Sequence, residues 1–371
     1  MAVRTIAIRN FRNHHTAEFQ FGDGINVIWG DNGSGKTSVL EALYLLAYGR
    51  SFRTARLQEL LRTGAESMLV EGNFRIADRQ YKIKASQVED GRKKYFINEQ
   101  AVVGARQLIG LNPVVVLSPE EQSITKGPPA RRRAYFDRVF SVVAPAYMSA
   151  LAGFTRALRQ RNAALDQVQH NRAPVTAVQA WDEALVEQGA TIWRERQSLL
   201  SDFRVCLATA VKELADRDLQ LAIIHTPQPP PDKQEYLDNI QTAITNDCRR
   251  GYTTIGPHRD QYEIEFNNAD LRKFGSQGEH KISLVLIKMA EALFIRQYSG
   301  KTPTVLLDDL FAKLDFHRSD LVLSALGEDI QTIITSTDLI DLEKHGVDLT
   351  TPGSRTYHLE KRNGSKSAIS N

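Results

Sequence analysis

Gly24-Ile25-Asn26-Val27-Ile28-Trp29-Gly30-Asp31-Asn32-Gly33-Ser34-Gly35-Lys36-Thr37 decides the fold. An apolar strand, a glycine-rich turn and the start of an apolar helix follow without a gap. Gly30, Gly35, Lys36 and Thr37 satisfy G-x-x-x-x-G-K-[ST], the spacing of a nucleoside-triphosphate loop. Glycines at 30, 33 and 35 let the backbone curl with its N–H groups inward, an anion nest beneath the phosphates. Asp31, Asn32 and Ser34 complete that segment between the glycines. The helix from Lys36 adds free N–H groups and a positive dipole end. Lys36 reaches the outer phosphates, and the Thr37 hydroxyl ligates Mg2+.

Val305-Leu306-Leu307-Asp308-Asp309 supplies the second half of such a site, an apolar strand ending in two carboxylates. A carboxylate at that strand end holds Mg2+, which assigns Asp308 to the metal. Asp309, one residue on, is placed to orient or activate the attacking water, and Asp309 and Lys36 are the candidate catalytic residues. Between the halves, Phe274-Gly275-Ser276-Gln277-Gly278-Glu279 leads into a helix. Serine and free N–H groups at a helix start serve phosphate capture and ordinary N-capping equally well.

Length and composition bound the rest. A chain of 371 residues has room for two or three domains, and its net charge of +3 sends any argument about partners to local patches. Two cysteines, Cys206 and Cys248, make neither a disulfide framework nor a metal cluster, and fit a reducing cytoplasm. No apolar run approaches the roughly 18–20 residues that span a bilayer, so no membrane partner is expected.

Alternation predicts strands over 3–10, 15–21, 25–29, 68–74, 81–88, 93–98 and 114–117, with Asp90-Gly91 as a hairpin turn. Helical periodicity then takes over at 129–143, 145–170, 176–200 and 202–217, broken near Pro145 and Pro174. Trp181, Leu185, Ile192 and Trp193 are its expected core. Further strands are expected at 219–224, 262–266, 304–307, 331–335 and 356–359, and helices at 233–248, 277–298 and 317–326. The expected organisation is an α/β ATPase head in two parts, 1–120 and 219–360, around an inserted helical domain at 121–218. Residues 361–371, low in apolar content, are expected to be a frayed, disordered tail.

These residues in this order carry a resemblance. The chain resembles the RecF family, recombinational-repair ATPases of the ABC/SMC-like superfamily. The likeness starts at Phe11-Arg12-Asn13 and runs through the phosphate loop, Leu40-Glu41-Ala42 and Gly49-Arg50-Ser51-Phe52-Arg53. It continues at Ser118-Pro119-Glu120, Lys126-Gly127-Pro128-Pro129, Arg131-Arg132, Gly256-Pro257-His258-Arg259-Asp260, Ser276-Gln277-Gly278 and Leu306-Leu307-Asp308-Asp309. The resemblance implies an ABC/SMC-like P-loop head with a mixed β-sheet lobe, in which Arg12 and Asn13 join the nucleotide site. It makes Ser276, Gln277 and Gly278 a signature loop acting on ATP bound by a partner subunit, in an ATP-dependent homodimer that hydrolyses slowly. It implies double-stranded and gapped DNA, RecR and RecO as partners, and assistance to recombinase loading. Ala312 and Lys313 depart from the Ser-x-Leu-Asp style of loop that Leu314-Asp315 otherwise matches. Glu279-His280-Lys281 replaces Gln-Gln-Arg, and Ser336-Thr337-Asp338 lacks the superfamily's switch histidine.

Between Lys126 and Arg172 stand nine Lys/Arg (Lys126, Arg131, Arg132, Arg133, Arg138, Arg156, Arg159, Arg161, Arg172) against Asp137 and Asp166. That imbalance suits sequence-independent contact with a phosphate backbone. Arg131, Arg132, Arg156 and Arg159 are the candidate DNA contacts. Two other readings compete, a transporter ATPase subunit and an SMC-like DNA-bridging ATPase. The basic insertion and missing histidine oppose the first; the second needs a long coiled coil that the periodicity does not supply.

Overall fold

The computed structural model describes residues 2–76, 79–88, 91, 93–214, 218–227, 232–309, 329–344, 347, 353–360 and 369–370. These fold as two compact units. The first comprises Met1–Gln122, Thr209–Arg217 and Leu284–Asn371; the second comprises Ser123–Ala208 and Asp218–Ser283.

The first unit holds two sheets. Strands β1 (Ala2–Phe11), β2 (His14–Gln20), β4 (Ser67–Ile76), β5 (Arg79–Val88), β6 (Lys93–Ile97) and β7 (Gln100–Val102) form an antiparallel sheet in the order β2-β1-β4-β5-β6-β7. The other sheet uses β3 (Ile25–Trp29), β8 (Val114–Leu117), β12 (Thr304–Asp308), β13 (Thr332–Ser336), β14 (Arg355–His358) and β15 (Ile369–Ser370), ordered β15-β14-β3-β13-β12-β8. All its pairings are parallel except β14 with β15. Its strands β8, β12 and β13 are buried at every position, which is why β8 is an unbroken apolar run and Val305–Leu307 of β12 another, while β13 buries Thr332, Thr335 and Ser336 beside its two isoleucines.

Helix α1 (Lys36–Tyr48) packs against β1, β4 and β5 of one sheet and β8, β12 and β13 of the other. Enclosure on both sides explains its composition, apolar all round instead of along one stripe. Gly49 ends it in the left-handed conformation, its N–H returning to the Leu45 carbonyl. Gln331 stitches the layers: its side chain accepts from the Val3 N–H at 2.7 Å and donates to the carbonyls of Val3 and Gly22.

The second unit contains α2 (Ser123–Lys126), α3 (Pro129–Val143), α4 (Pro145–Gln169), α5 (Thr176–Gln179), α7 (Lys233–Arg250), α8 (Leu271–Phe274) and most of α6 (Asp182–Leu214). A three-stranded antiparallel sheet completes it, ordered β11-β10-β9 from β9 (Leu221–Thr226), β10 (Gln261–Phe266) and β11 (Ala269–Asp270). Asn267 and Asn268, both at positive φ, turn β10 into β11. Leu185, Ile192 and Trp193 are fully buried; Trp181 is half-buried.

The division differs from the expected one. Residues from 218 to 283 belong with the helices, not with the head, because β9 pairs with β10 and joins no strand of the central sheet. Arg132 donates to the Tyr262 carbonyl and Arg204 to the Ile223 carbonyl, tying that sheet to α3 and α6. The helices expected at 176–200 and 202–217 are instead α5 and a single 33-residue α6, since no Pro or Gly interrupts the chain between 190 and 214. Helix α9 (Gln277–Ser299) follows, with its first turns in the second unit and the rest in the first. Helix α10 (Leu339–Lys344) follows β13. The helix expected at 317–326, the departures at Ala312 and Lys313, Leu314-Asp315, Asp90 and residues 361 to 368 of the tail lie outside the described residues. Within the tail expected to be disordered, Ile369–Ser370 instead forms β15, because its backbone pairs with Tyr357 and His358 of β14.

Candidate nucleotide site and signature loop

Strand β3 delivers the chain to Gly30, and α1 takes it up at Lys36. Gly30 sits at φ 139, and a Cβ there would come within 2.2 Å of the Leu359 carbonyl oxygen. Gly35 sits at φ 104, where a Cβ would meet the side chains of His14 and Asn13. Only glycine serves at either point. Asn13 donates from Nδ2 to the Gly33 carbonyl at 3.1 Å, and His14 Nε2 lies 3.0 Å from the Gly35 carbonyl. The β1–β2 turn therefore braces the loop from behind.

Lys36 is buried, its Nζ donating to the carbonyls of Gly30 at 2.7 Å and Asp31 at 3.0 Å. Burial pulls its pKa down, opposed by the charges of Asp309, Asp308 and Asp31. Thr37 Oγ1 donates to Asp308 Oδ1 at 2.8 Å, and Thr335 Oγ1 donates to the same oxygen at 2.8 Å. Burial raises the Asp308 carboxyl above its ordinary range, against those two hydrogen bonds. Asp309 turns the other way. Its backbone is left-handed at φ 46, and its N–H donates to Thr335 Oγ1 at 3.1 Å.

A cavity of about 700 Å3 opens in front of the loop, lined by Asn32, Gly33, Gly35, Lys36, Thr37 and Asp309, and further by Arg12, Asn13, Arg53, Arg62 and Thr63. The structure thus gathers Arg12, Asn13, the loop and Asp309 around one space, with Asp308 behind Thr37. The residues present suit ATP with Mg2+: Lys36 and the glycine-rich loop that line the cavity for phosphate, and the oxygens of Thr37 and Asp308 for a hard cation. No group of three or more His, Cys, Asp or Glu among the described residues is arranged to hold a metal by itself. Mg2+ held by one or two protein oxygens plus phosphates needs no such cluster.

Glu41 is the residue around which the cavity wall is built. Its carboxylate, fully buried on α1, accepts from Arg12 Nε at 2.8 Å and Nη2 at 2.6 Å, and from the Ser51 hydroxyl. Arg53 approaches it at 3.6 Å and Glu120 at 3.5 Å. Arg62 and Thr63 carried no sequence signal; the stretch after a short 3-10 turn is held at the cavity by the bridge between Phe11 and Leu61 and by Arg12 Nη1, which donates to the Glu59 carbonyl at 2.9 Å.

Ser276 opens α9 in a reciprocal capping box. Its N–H donates to Glu279 Oε2 at 2.7 Å, and the Glu279 N–H donates to Ser276 Oγ at 3.3 Å. The S-x-x-E spacing was the available signal. Of the two roles open to Ser276, N-capping is the one this geometry displays. Phe274, two residues earlier, is 74% exposed.

The four candidate DNA contacts separate. Arg131, Arg156 and Arg159 are exposed. Arg132 is buried and spends its guanidinium on the carbonyls of Tyr262 and Gly127, which removes it from the candidates. Arg138 and Arg161 are buried too, so three of the nine basic residues serve the interior. Arg161 bonds Asp182, Asp247 and Thr253. In the Gly256-Pro257-His258-Arg259-Asp260 segment, buried Asp260 accepts from Trp193, Arg196 and His225. Arg259 does not pair with it, donating to the Thr253 carbonyl instead. Burial pulls His258 down to about 4, the state of a neutral turn residue.

Together the parallel sheet, the loop, the buried helix and the strand-end acids define a P-loop ATPase head of the ABC/SMC-like kind. The RecF/RecN/SMC N-terminal domain model matches residues 2–349. DNA replication and repair protein RecF of Agathobacter rectalis is 30% identical over 361 residues, 97% of this chain and 98% of that one. RecF of Ruminiclostridium cellulolyticum is 32% identical over 353 residues, 91% and 93% respectively. The structure of the recombination mediator protein RecF-ATPrS in the RecFOR pathway matches with a TM-score of 0.87 at 28% identity, covering 100% of this chain and 98% of that one. The Smc head domain of Pyrococcus furiosus, at 16% identity and a TM-score of 0.54, shares the fold. The chain belongs to the RecF family.

Proposed function

We propose that this chain is an ATP-dependent DNA-binding protein of replication and recombinational gap repair. Support comes above all from the whole-chain likeness to the RecF-ATPrS structure, joined to a loop and strand end of the same chain that meet through Thr37 and Asp308. In this reading ATP lies on the Gly30–Thr37 loop, Lys36 faces its outer phosphates, Thr37 and Asp308 hold Mg2+, and Asp309 orients water for slow hydrolysis. Two chains close head to tail, each offering Ser276, Gln277 and Gly278 to the other's nucleotide. The closed dimer sits on duplex DNA beside a single-stranded gap and, with RecR and RecO, assists recombinase loading. Arg131, Arg156 and Arg159 contact phosphates.

Sedimentation of the full chain with and without ATP and gapped duplex DNA tests this. ATP shifts the protein from monomer to dimer, and the dimer co-sediments with DNA. A monomer that ignores both additions overturns the reading.

A further inference from the structure

Helix α7 ends in Arg249-Arg250, and Gly251 at φ 73 turns the chain into Tyr252. Two arginines in a last turn complement the helix dipole, which is a sufficient account of the helix end alone. It does not account for what gathers there. Arg250 Nη1 donates to the Tyr252 hydroxyl at 3.2 Å, and Asn246 Oδ1 accepts from both Arg249 and Arg250. From a separate segment, Arg259 lays its guanidinium 5.1 Å from the Tyr252 ring centroid. Arg259 Nε is buried without a hydrogen-bond partner among the described residues.

None of Arg249, Arg250 and Arg259 forms an ion pair among the described residues. Carboxylates on the neighbouring segments are otherwise engaged: Asp247 with Arg161 and Thr254, Asp166 with His170, and Asp260 with Arg196. Where α4 meets α7, Gln169 Nε2 donates to the Arg249 carbonyl. Because Tyr252 accepts from Arg250, its own O–H remains to donate outward, and it is 38% exposed. That hydrogen bond also lowers the phenol's pKa, sharpening it as a donor.

Resting on the DNA-binding reading above, we infer that Arg249, Arg250, Tyr252 and Arg259 form a phosphate clamp for one DNA strand. The guanidiniums supply charge and forked donors, and the tyrosine hydroxyl adds a hydrogen bond to a phosphate oxygen. Contacts of this kind position a strand without reading its bases.

The test measures affinity of the full chain for gapped duplex DNA across a salt series. It compares wild type, Arg249→Gln/Arg250→Gln and Tyr252→Phe, with ATP affinity and thermal unfolding as controls. Losing two phosphate contacts should lower the slope of log affinity against log salt by about 1.8. Tyr252→Phe keeps the ring beneath Arg259 and should weaken binding about fivefold through the hydroxyl alone. Unchanged affinity and slope in both variants, with wild type binding normally, overturns the clamp and leaves the function standing. Wild type that shows no salt-dependent DNA binding overturns the function and the clamp with it. Should the double variant unfold, Tyr252→Phe decides: unaltered affinity counts against the clamp, a fivefold loss for it.

Discussion

Thr37 Oγ1 stands 2.8 Å from Asp308 Oδ1, joining the helix that follows the phosphate loop to the end of a strand 271 residues later. The two oxygens are the pair that a Mg2+ ion bridging protein and phosphates would use. Thr335 donates to the same carboxylate oxygen, so three segments of the first unit converge on one buried acid.

Asp308 carries a pH prediction. Burial raises its carboxyl above the ordinary carboxylate value, against the hydrogen bonds from Thr335 and Thr37. A folded pKa above the unfolded one stabilises the protein at low pH, and that contribution is lost as pH rises through the folded value. Asp308→Asn should therefore melt no lower than wild type at neutral pH without nucleotide, while its Mg2+-dependent ATP affinity falls at least about tenfold. Paired thermal unfolding and calorimetry check both halves. A large drop in melting temperature would contradict the reading that burial of this carboxylate costs stability.

Lys36→Ala should weaken ATP binding by about 2–3 kcal/mol, the loss of a charge-assisted contact to phosphate. The dimer should be lost with it, while the monomer stays folded. Titration calorimetry and light scattering together decide; full affinity in the variant removes Lys36 from the phosphate site.

Glu41 is predicted to matter for stability before it matters for nucleotide. Glu41→Ala removes the acceptor of Arg12 and Ser51 inside the fold and should cost about 3–5 kcal/mol in urea unfolding. Arg12→Ala should cost less stability, because its side chain is partly exposed, and more ATP affinity, because it lines the cavity. Equal effects of the two variants on both readouts would dissolve the distinction.

At the signature loop, Ser276→Ala deletes one arm of the capping box and should cost about 1 kcal/mol. Ser276→Arg should still bind ATP yet remain monomeric in light scattering, if the loop meets the partner's nucleotide. Normal ATP-driven dimerisation of that variant speaks against the cross-subunit role.

The basic residues divide into two predicted phenotypes. Arg156→Glu/Arg159→Glu should weaken DNA binding, flatten its salt dependence and leave unfolding unchanged. Arg132→Ala should do the reverse, destabilising the fold by about 2–3 kcal/mol as the carbonyls of Tyr262 and Gly127 lose their donor. Salt-series binding alongside denaturation separates them.

Local rules made part of this molecule readable in advance. The Gly30–Thr37 turn and the fully buried strands 114–117 and 304–307 each depend on a few neighbouring residues. Steric freedom of glycine and the two-residue or 3.6-residue period act within a window the chain itself displays. Tertiary structure alone decided which arginines face solvent, since Arg132 and Arg161 differ from Arg131 and Arg159 by what packs on them, not by their neighbours in sequence. It also assigned residues 218–283 to the helical unit, through the pairing of β9 with β10, and brought Arg62 and Thr63 to the nucleotide cavity. Burial and long-range pairing depend on where distant segments come to rest, and no local spacing encodes that.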